Sequence, residues 1–268
     1  MLIPVTDADD PRIEPYRAVR ERDLAGRGDL FVVEGEVVLR VFLNRSRFPV
    51  DSLLIAENRT ESLRDCLAAL PSSVPVYTAG RRVMDAIVGF PIHRGVLAIG
   101  RRSPARSAGD LLADAAGDAL VVGLIGLANH DNVGGIFRNA AAFGATAVLL
   151  DPATCDPLYR KAIRVSVGGS LIVPFARMES AHAMMEALRA AQFDVLALSP
   201  SGKEALTGLK PRRRQAVLLG AEGPGLPSDI LAGARTVSIP MSGGFDSLNV
   251  ATTSGIVLHH LTSASTSD

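Results

Sequence analysis

The stretch "ALVVGLIGLANHDNVGGIFRNAAAFGATAVLL", Ala119 to Leu150, decides how the second half of the chain is read. "ALVVGLIG" is a near-continuous apolar run of strand length, the pattern of a strand buried on both faces of a parallel sheet. Asn129, Asp131 and Asn132 follow, and each can cap a helix or turn. "VGGIFRNAAAFG" then reads as a helix that ends at Gly144, and "TAVLL" opens a second strand. Strand, capped helix and strand in this order predict a crossover unit, and hence a parallel α/β sheet.

The alternation continues downstream. "LYRKAIRVS" and "SAHAMMEALRAAQ" read as helices, and "SLIVPF", "FDVLALS", "QAVLLGAEG" and "RTVSIPM" as strands. Upstream, the runs "LFVVEG", "DSLLIAE", "VPVY" and "GVLAIG" read as strands, with "EVVLRVFLN" and "TESLRDCLAAL" as helices. They form a small α/β domain from about Tyr16 to Gly100. "RRSPARSAGD", Arg101 to Asp110, mixes Ser, Pro, Gly and Arg in the manner of a linker. The predicted organisation is a small domain over 1–100, a linker over 101–117 and a larger domain over 118–268. The polar end "TSASTSD" is expected to be disordered.

With 268 residues, 47% hydrophobic and 21% charged, the chain has the composition of a globular protein. No apolar run reaches bilayer-spanning length. "MLIPVTDADDPRIEPY" has acids and prolines where a signal peptide needs a basic and then an apolar stretch, so a cytoplasmic setting is expected. The only cysteines, Cys66 and Cys155, have no His or Cys neighbour at ligand spacing. Neither a disulfide framework nor a metal site is expected. The 28 basic and 28 acidic residues cancel, which argues against a generic polyanion binder. Local patches remain open. Every basic residue before Lys161 is arginine, which suits bidentate phosphate contacts and is equally what a GC-rich genome produces.

Three loops after strands share a composition of Gly, Asn, Glu and Ser, and ligands of open α/β sheets bind at strand carboxyl ends. In the first loop, Asn129 and Asn132 lead into Gly134 and Gly135, which keep the first helical turn thin enough for a ligand to approach. Arg138 lies one turn beyond. Composition alone reads this equally well as a capped helix with a surface arginine. The second, "LLGAEGPGLP", sets Glu222 among Gly220, Gly223 and Gly225. It fits neither a dinucleotide fingerprint nor a phosphate-binding lysine loop, and alone it is as well explained by a plain turn. The third, "IPMSGGFDSLNVATTSGIVLHHL", has Asp246 or Ser247 as a possible cap. Ile239, Met241 and Leu248 would form an apolar wall suited to a flat purine ring.

Together, in order and wording, the loops resemble the three motifs of the SpoU/TrmH family, within the SPOUT class of RNA methyltransferases. The first motif is carried by Asn129, Asn132, Gly134, Arg138, Asn139 and Ala140. Gly220, Glu222, Gly223 and Gly225 carry the second, and Ile239–Met241 with Ser247–Val250 the third. The resemblance covers about Asp118 to Leu261, and "DPLYRKAIRVSVGG" is also similar to the family. "FVVEGEVVLRVFL" and "HRGVLAIG" resemble, more weakly, the family's small ribosomal-protein-like substrate-binding domain. Thr252 and Thr253 depart from the smaller or apolar residues common in relatives.

The resemblance implies an α/β SPOUT domain with a parallel sheet and a deep trefoil knot, working as a homodimer with the site near the dimer interface. It implies S-adenosylmethionine as methyl donor, no metal, and a ribose 2′-hydroxyl of RNA as acceptor, with ribosomal RNA first and transfer RNA second. Gly220, Ile239 and Leu248 would line the donor, with Leu219 and Met241 beside them. Arg138 would be the catalytic residue. Acting as a base is costly for it, since neutralising a group of pKa above about 12 at pH 7 costs roughly 7 kcal/mol. A clamp on phosphate and developing alkoxide is cheaper. Asn132 would orient Arg138 or the substrate, Ser247 and Asn249 would hold the nucleotide or relay the proton, and Glu222 would orient the loops or meet the donor's charge. Arg81, Arg82 and Arg94, Arg160, Lys161 and Arg164, and "KPRRR" (Lys210 to Arg214) are candidate RNA contacts, each otherwise a solvated surface charge. A non-catalytic RNA-binding or ribosome-assembly factor of the same fold is the alternative. A Rossmann dehydrogenase is disfavoured by the missing glycine fingerprint.

Overall fold

The computed structural model describes residues 2–17, 29–88, 95–115, 117–243 and 247–263. Contacts divide the chain into two compact units, Met1–Pro104 with Leu158–Ile172, and Ala105–Pro157 with Val173–Asp268.

The first unit is built from β1 (Leu2–Val5), β2 (Leu30–Glu34), α1 (Glu36–Arg45), β3 (Val50–Ala56), α2 (Arg64–Ala68), β4 (Val76–Ala79), α3 (Arg81–Val88) and β5 (Val96–Arg101). Its sheet has the order β1-β4-β3-β5-β2, with β5 antiparallel to both neighbours and the other pairs parallel. Ile13, Tyr16, Leu54, Met84, Leu97 and Ile99 pack one core. β1 lies ahead of the start read from the sequence. It is a four-residue edge strand holding Pro4, a residue whose missing N–H is tolerated only at an edge and which hides a strand from pattern reading.

The second unit begins with α4 (Ala108–Asp114), inside the stretch read as a linker; the Ser107 hydroxyl caps it by accepting from Asp110 N at 3.1 Å. Then come β6 (Ala119–Ile125), α5 (His130–Ala142) and β7 (Ala147–Leu150). The chain next enters the first unit as α6 (Arg160–Val165) and α7 (Gly169–Ile172). Two features hold that insertion there. The buried carboxylate of Glu34 pairs with Arg160 and, at 3.7 Å, Arg164. A Cβ on Gly168 would lie 2.7 Å from Val41 Cγ1, so the segment packs where only glycine fits. "SLI" is helical here rather than the strand read from "SLIVPF". A short apolar run does not distinguish the two states, and strand pairing starts only past Pro174.

Back in the second unit follow β8 (Phe175–Arg177), α8 (Ala181–Ala190), β9 (Asp194–Leu198), β10 (Glu204–Ala205), β11 (Arg214–Gly220), α9 (Ser228–Ala232), β12 (Arg235–Ser238) and α10 (Val250–Ser263). The sheet order is β10-β12-β9-β11-β6-β7-β8, and every pairing is parallel. β6 explains its apolar run by its pleat. Leu120, Val122 and Leu124 pack with α5 and α10, whereas Ala119 and Val121 pack with α4 and α8. From β6 the chain runs outward to β7 and β8 on one side, and β11, β9 and β12 lie on the other. A crevice is expected outside the strand carboxyl ends at such a reversal. No described helix is long and apolar enough to cross a membrane.

Candidate active site

The loops leaving β6, β11 and β12 all emerge at that edge. β11 ends in Gly220, where a Cβ would lie 2.4 Å from main-chain atoms of Gly225 and Leu226. The loop doubles back on itself, with Gly225 N donating to Ala221 O at 3.0 Å, and Gly223 and Gly225 take positive φ of 87° and 70°. This turn needs glycine at all three positions.

A cleft opens beside it. Leu219, Gly220, Glu222, Ile239, Met241, Ser247 and Leu248 line it, so all five residues expected at the donor share one wall with two of the expected catalytic residues. Leu198, Ser199, Pro200 and Val237 also line it and were missed from the sequence. A signal existed for the first three, since Ser-Pro directly follows the apolar strand "FDVLALS" at a carboxyl end. Asp246 and Gly244 lie outside the described residues.

Three side chains tie the three loops together. Asn132, 5% exposed, donates through Nδ2 to Glu222 Oε1 and accepts from Asn249 Nδ2 at 2.8 Å. Asn249 Nδ2 also reaches Glu222 Oε1 at 3.4 Å. Asn249 Oδ1 caps α10 by accepting from Ala251 N at 3.0 Å and Thr252 N at 3.2 Å. The same carboxamide thus fixes the start of the last helix and joins the triangle. Asn132 does not touch Arg138 within the chain. Six residues along a helix is a turn of roughly 240°, which carries Arg138 to another face. There it is exposed, and no described residue pairs with it.

Of the two glycines after Asn132, Gly135 serves a different purpose from the expected one. A Cβ on Gly135 would lie 2.7 Å from Ala251 Cβ, so Gly135 admits α10 rather than a ligand. Opposite it, Gly255 leaves room for Asn139, whose Nδ2 donates to Ala251 O at 2.7 Å and Ser254 Oγ at 2.8 Å. The small-residue seam between α5 and α10 therefore bypasses Thr252 and Thr253. Thr252 is exposed, and Thr253 lines the cleft.

A second network, unanticipated, holds the loop ahead of Asn129. Buried Asp151 accepts through Oδ1 from Gly126 N at 3.0 Å, Thr154 N at 2.8 Å and Thr154 Oγ1 at 2.6 Å. Leu127 N donates to Thr154 Oγ1 at 3.3 Å, and Cys155 N to Leu127 O at 2.8 Å. The ends of β6 and β7 are thereby stitched. Burial pushes the Cys155 thiol up to about 11, so it is not a nucleophile.

Of the expected RNA contacts, Arg160 is committed to Glu34. Arg81 and Arg82 are exposed on α3, and Arg94 lies outside the described residues. Arg214 donates to Leu112 O, Ala115 O and Ala191 O and stacks 4.4 Å over Phe193, closing the ends of α4 and α8. Arg213 pairs with Asp118 at 2.8 Å. Among the described residues no group of three or more His, Cys, Asp or Glu is placed to hold a metal.

The second unit is a parallel α/β fold whose cleft lies at the carboxyl edge of the sheet, beside the segment that enters the last helix. Residues 119–259 match the model of the SpoU rRNA Methylase family. An uncharacterized tRNA/rRNA methyltransferase of Mycobacterium bovis is 39% identical, over 96% of this chain and 91% of its own length. The chain belongs to the SpoU methylase family. Its fold is that of the S-adenosylmethionine-bound rRNA methyltransferase of Sinorhizobium meliloti, with TM-score 0.81, 23% identity and 97% of each chain covered. It is equally that of the SpoU methyltransferase AviRb of Streptomyces viridochromogenes with the same cofactor, with TM-score 0.82, 23% identity, and 97% and 100% covered.

Proposed function

We propose that this chain transfers a methyl group from S-adenosylmethionine to a ribose 2′-hydroxyl of structured RNA, with ribosomal RNA as the first substrate class and transfer RNA as the second. The observation that carries the reading is the joint placement of the cleft and the Asn132–Glu222–Asn249 triangle at one edge of the sheet in a SpoU family chain. The cleft residues fit the donor. Leu219, Ile239, Met241 and Leu248 offer apolar walls to a purine, and the turn at Gly220 brings main chain to the surface without a side chain. When bound, S-adenosylmethionine supplies a sulfonium methyl, which needs no metal.

The chain supplies alignment and charge. Glu222 holds two carboxamides and so fixes the three loops against one another. Ser247, exposed on the cleft wall, is placed to bond the nucleotide or pass its proton on. Arg138 clamps a phosphate and stabilises the forming alkoxide, a charge-assisted role that requires no neutral guanidinium. It does not line the cleft of its own chain, which supports a homodimer in which it serves the partner's cleft. The reading includes the deep knot at the third loop, with the cytoplasm as the setting. Mapping 2′-O-methyl positions in total RNA tests it. A strain lacking the gene should lose one position present in its parent, and an unchanged map of ribosomal and transfer RNA would overturn the assignment.

A further inference from the structure

We propose that Arg177 is an RNA-backbone anchor, a guanidinium pre-set to hold one phosphodiester at the carboxyl edge of the second unit's sheet, outside the cleft. The inference rests on the RNA-modifying function proposed above and adds to it a contact that none of the three motif loops contains.

Arg177 ends β8, the outermost strand on its side. Its Nη1 donates to Asp151 O at 2.8 Å and Thr154 O at 2.9 Å. A guanidinium carries five N–H groups in a rigid fork. Two carbonyls on Nη1 use its two hydrogens and leave the Nε–Nη2 edge, the one that grips a phosphate in bidentate fashion. That edge bonds to no described residue, and the side chain is exposed. No described carboxylate pairs with it. Asp151, whose main-chain carbonyl Arg177 holds, has its side-chain oxygen Oδ1 taken by Gly126 N, Thr154 N and Thr154 Oγ1, and it is buried. Three other arginines of this unit are neutralised, Arg235 by Asp194 and Glu204, Arg212 by Asp194, and Arg213 by Asp118. Arg177 is held by neutral carbonyls instead, so its position is fixed while its charge stays available.

Position gives the contact its use. The carbonyls that hold Arg177 belong to the loop stitched to Gly126 and Leu127, and this connection leads directly to Asn129 and Asn132. A phosphate on Arg177 would be tied through a few hydrogen bonds to the loop that enters the catalytic triangle, setting the register of the strand. A pre-ordered guanidinium also loses less freedom on binding than a free one.

The test is the salt dependence of binding to a fluorescein-labelled RNA hairpin, followed by anisotropy from 50 to 200 mM KCl. Arg177→Gln should bind several-fold more weakly at low salt. Its log–log slope should be shallower than wild type by about 0.7 to 0.9, the value of one phosphate contact. S-adenosylmethionine affinity, read by calorimetry, should stay within about twofold of wild type, because Arg177 lies outside the cleft. Arg235→Gln, which removes an arginine paired with two carboxylates at the opposite edge, should leave the slope unchanged. A wild-type slope in a folded Arg177→Gln protein overturns the anchor and leaves the methyl-transfer reading standing. Wild-type protein with no affinity for the hairpin overturns both. If Arg177→Gln does not fold, phenylglyoxal modification of the wild type decides. RNA should protect Arg177, and equal modification with and without RNA overturns the proposal.

Discussion

Two residues of α5 separate structure from chemistry. Asn132 is buried and doubly bonded, and Arg138 is exposed and unpaired among the described residues. Asn132→Ala leaves Glu222 and Asn249 short of a partner, at a cost of about 1–3 kcal/mol. Urea unfolding should show that loss, and turnover should fall with it. Arg138→Ala should be silent in the same unfolding experiment, within about 0.5 kcal/mol, as for a surface substitution. Methyl transfer by that variant should nonetheless fall by about 10²- to 10³-fold. Loss of stability in Arg138→Ala, or retained activity, contradicts the division of labour. Neither difference was legible in the motif, which shows both residues as polar letters on one helix. Their separation comes from helical rotation and from partners 90 and 117 residues away in sequence.

At the scale of elements, the α5–α10 pair depends on a seam of small residues. Gly135→Val places two methyls where a Cβ alone already lies 2.7 Å from Ala251, so the helices must part. Overpacking of this kind costs about 1–3 kcal/mol. Thermal melting should show a lower midpoint, and because Asn249 starts α10, the triangle should loosen as well. A melting curve equal to wild type would contradict the seam. In the first unit, a short 3-10 helix at Pro11–Tyr16 is capped by Asp10, whose carboxylate accepts from Arg12 N at 2.9 Å and from the Arg12 side chain. The side-chain hydrogen bond from Arg12 holds the Asp10 carboxyl at about 2, below its ordinary 3.8. Since the folded value is depressed, the cap contributes stability above pH 3.8 and loses it as pH falls through about 2. Carboxyl NMR titration should give a midpoint near 2 for Asp10, moving towards 3.8 in Arg12→Ala.

At the scale of the whole molecule, the parallel sheet of the second unit was legible because burial on both faces demands near-continuous apolar strands, and "ALVVGLIG" and "QAVLLG" supply them. What escaped was set by geometry that letters do not carry. Pro4 disguised an edge strand, α4 lay inside a breaker-rich stretch, and "SLIV" was too short to choose between helix and strand. The insertion of Leu158–Ile172 into the first unit rests on a buried Glu34 ion pair and on Gly168 against Val41, contacts across more than 100 residues. The candidate site was legible further than the fold around it, since every expected donor residue lines one cleft. The Asp151–Thr154 stitch, made mostly through main-chain groups, left no trace in the motif.

Methyl transfer by this chain requires that the cleft bind the methyl donor. Calorimetric titration of S-adenosylmethionine into the full chain, beside Gly220→Val, tests it most directly. Wild type should bind saturably. Binding should weaken at least about tenfold in the variant, a loss of about 1.4 kcal/mol or more, because a side chain at Gly220 cannot coexist with the turn that shapes the cleft. A folded wild-type protein that releases no heat, or a Gly220→Val protein that binds as wild type does, would contradict it.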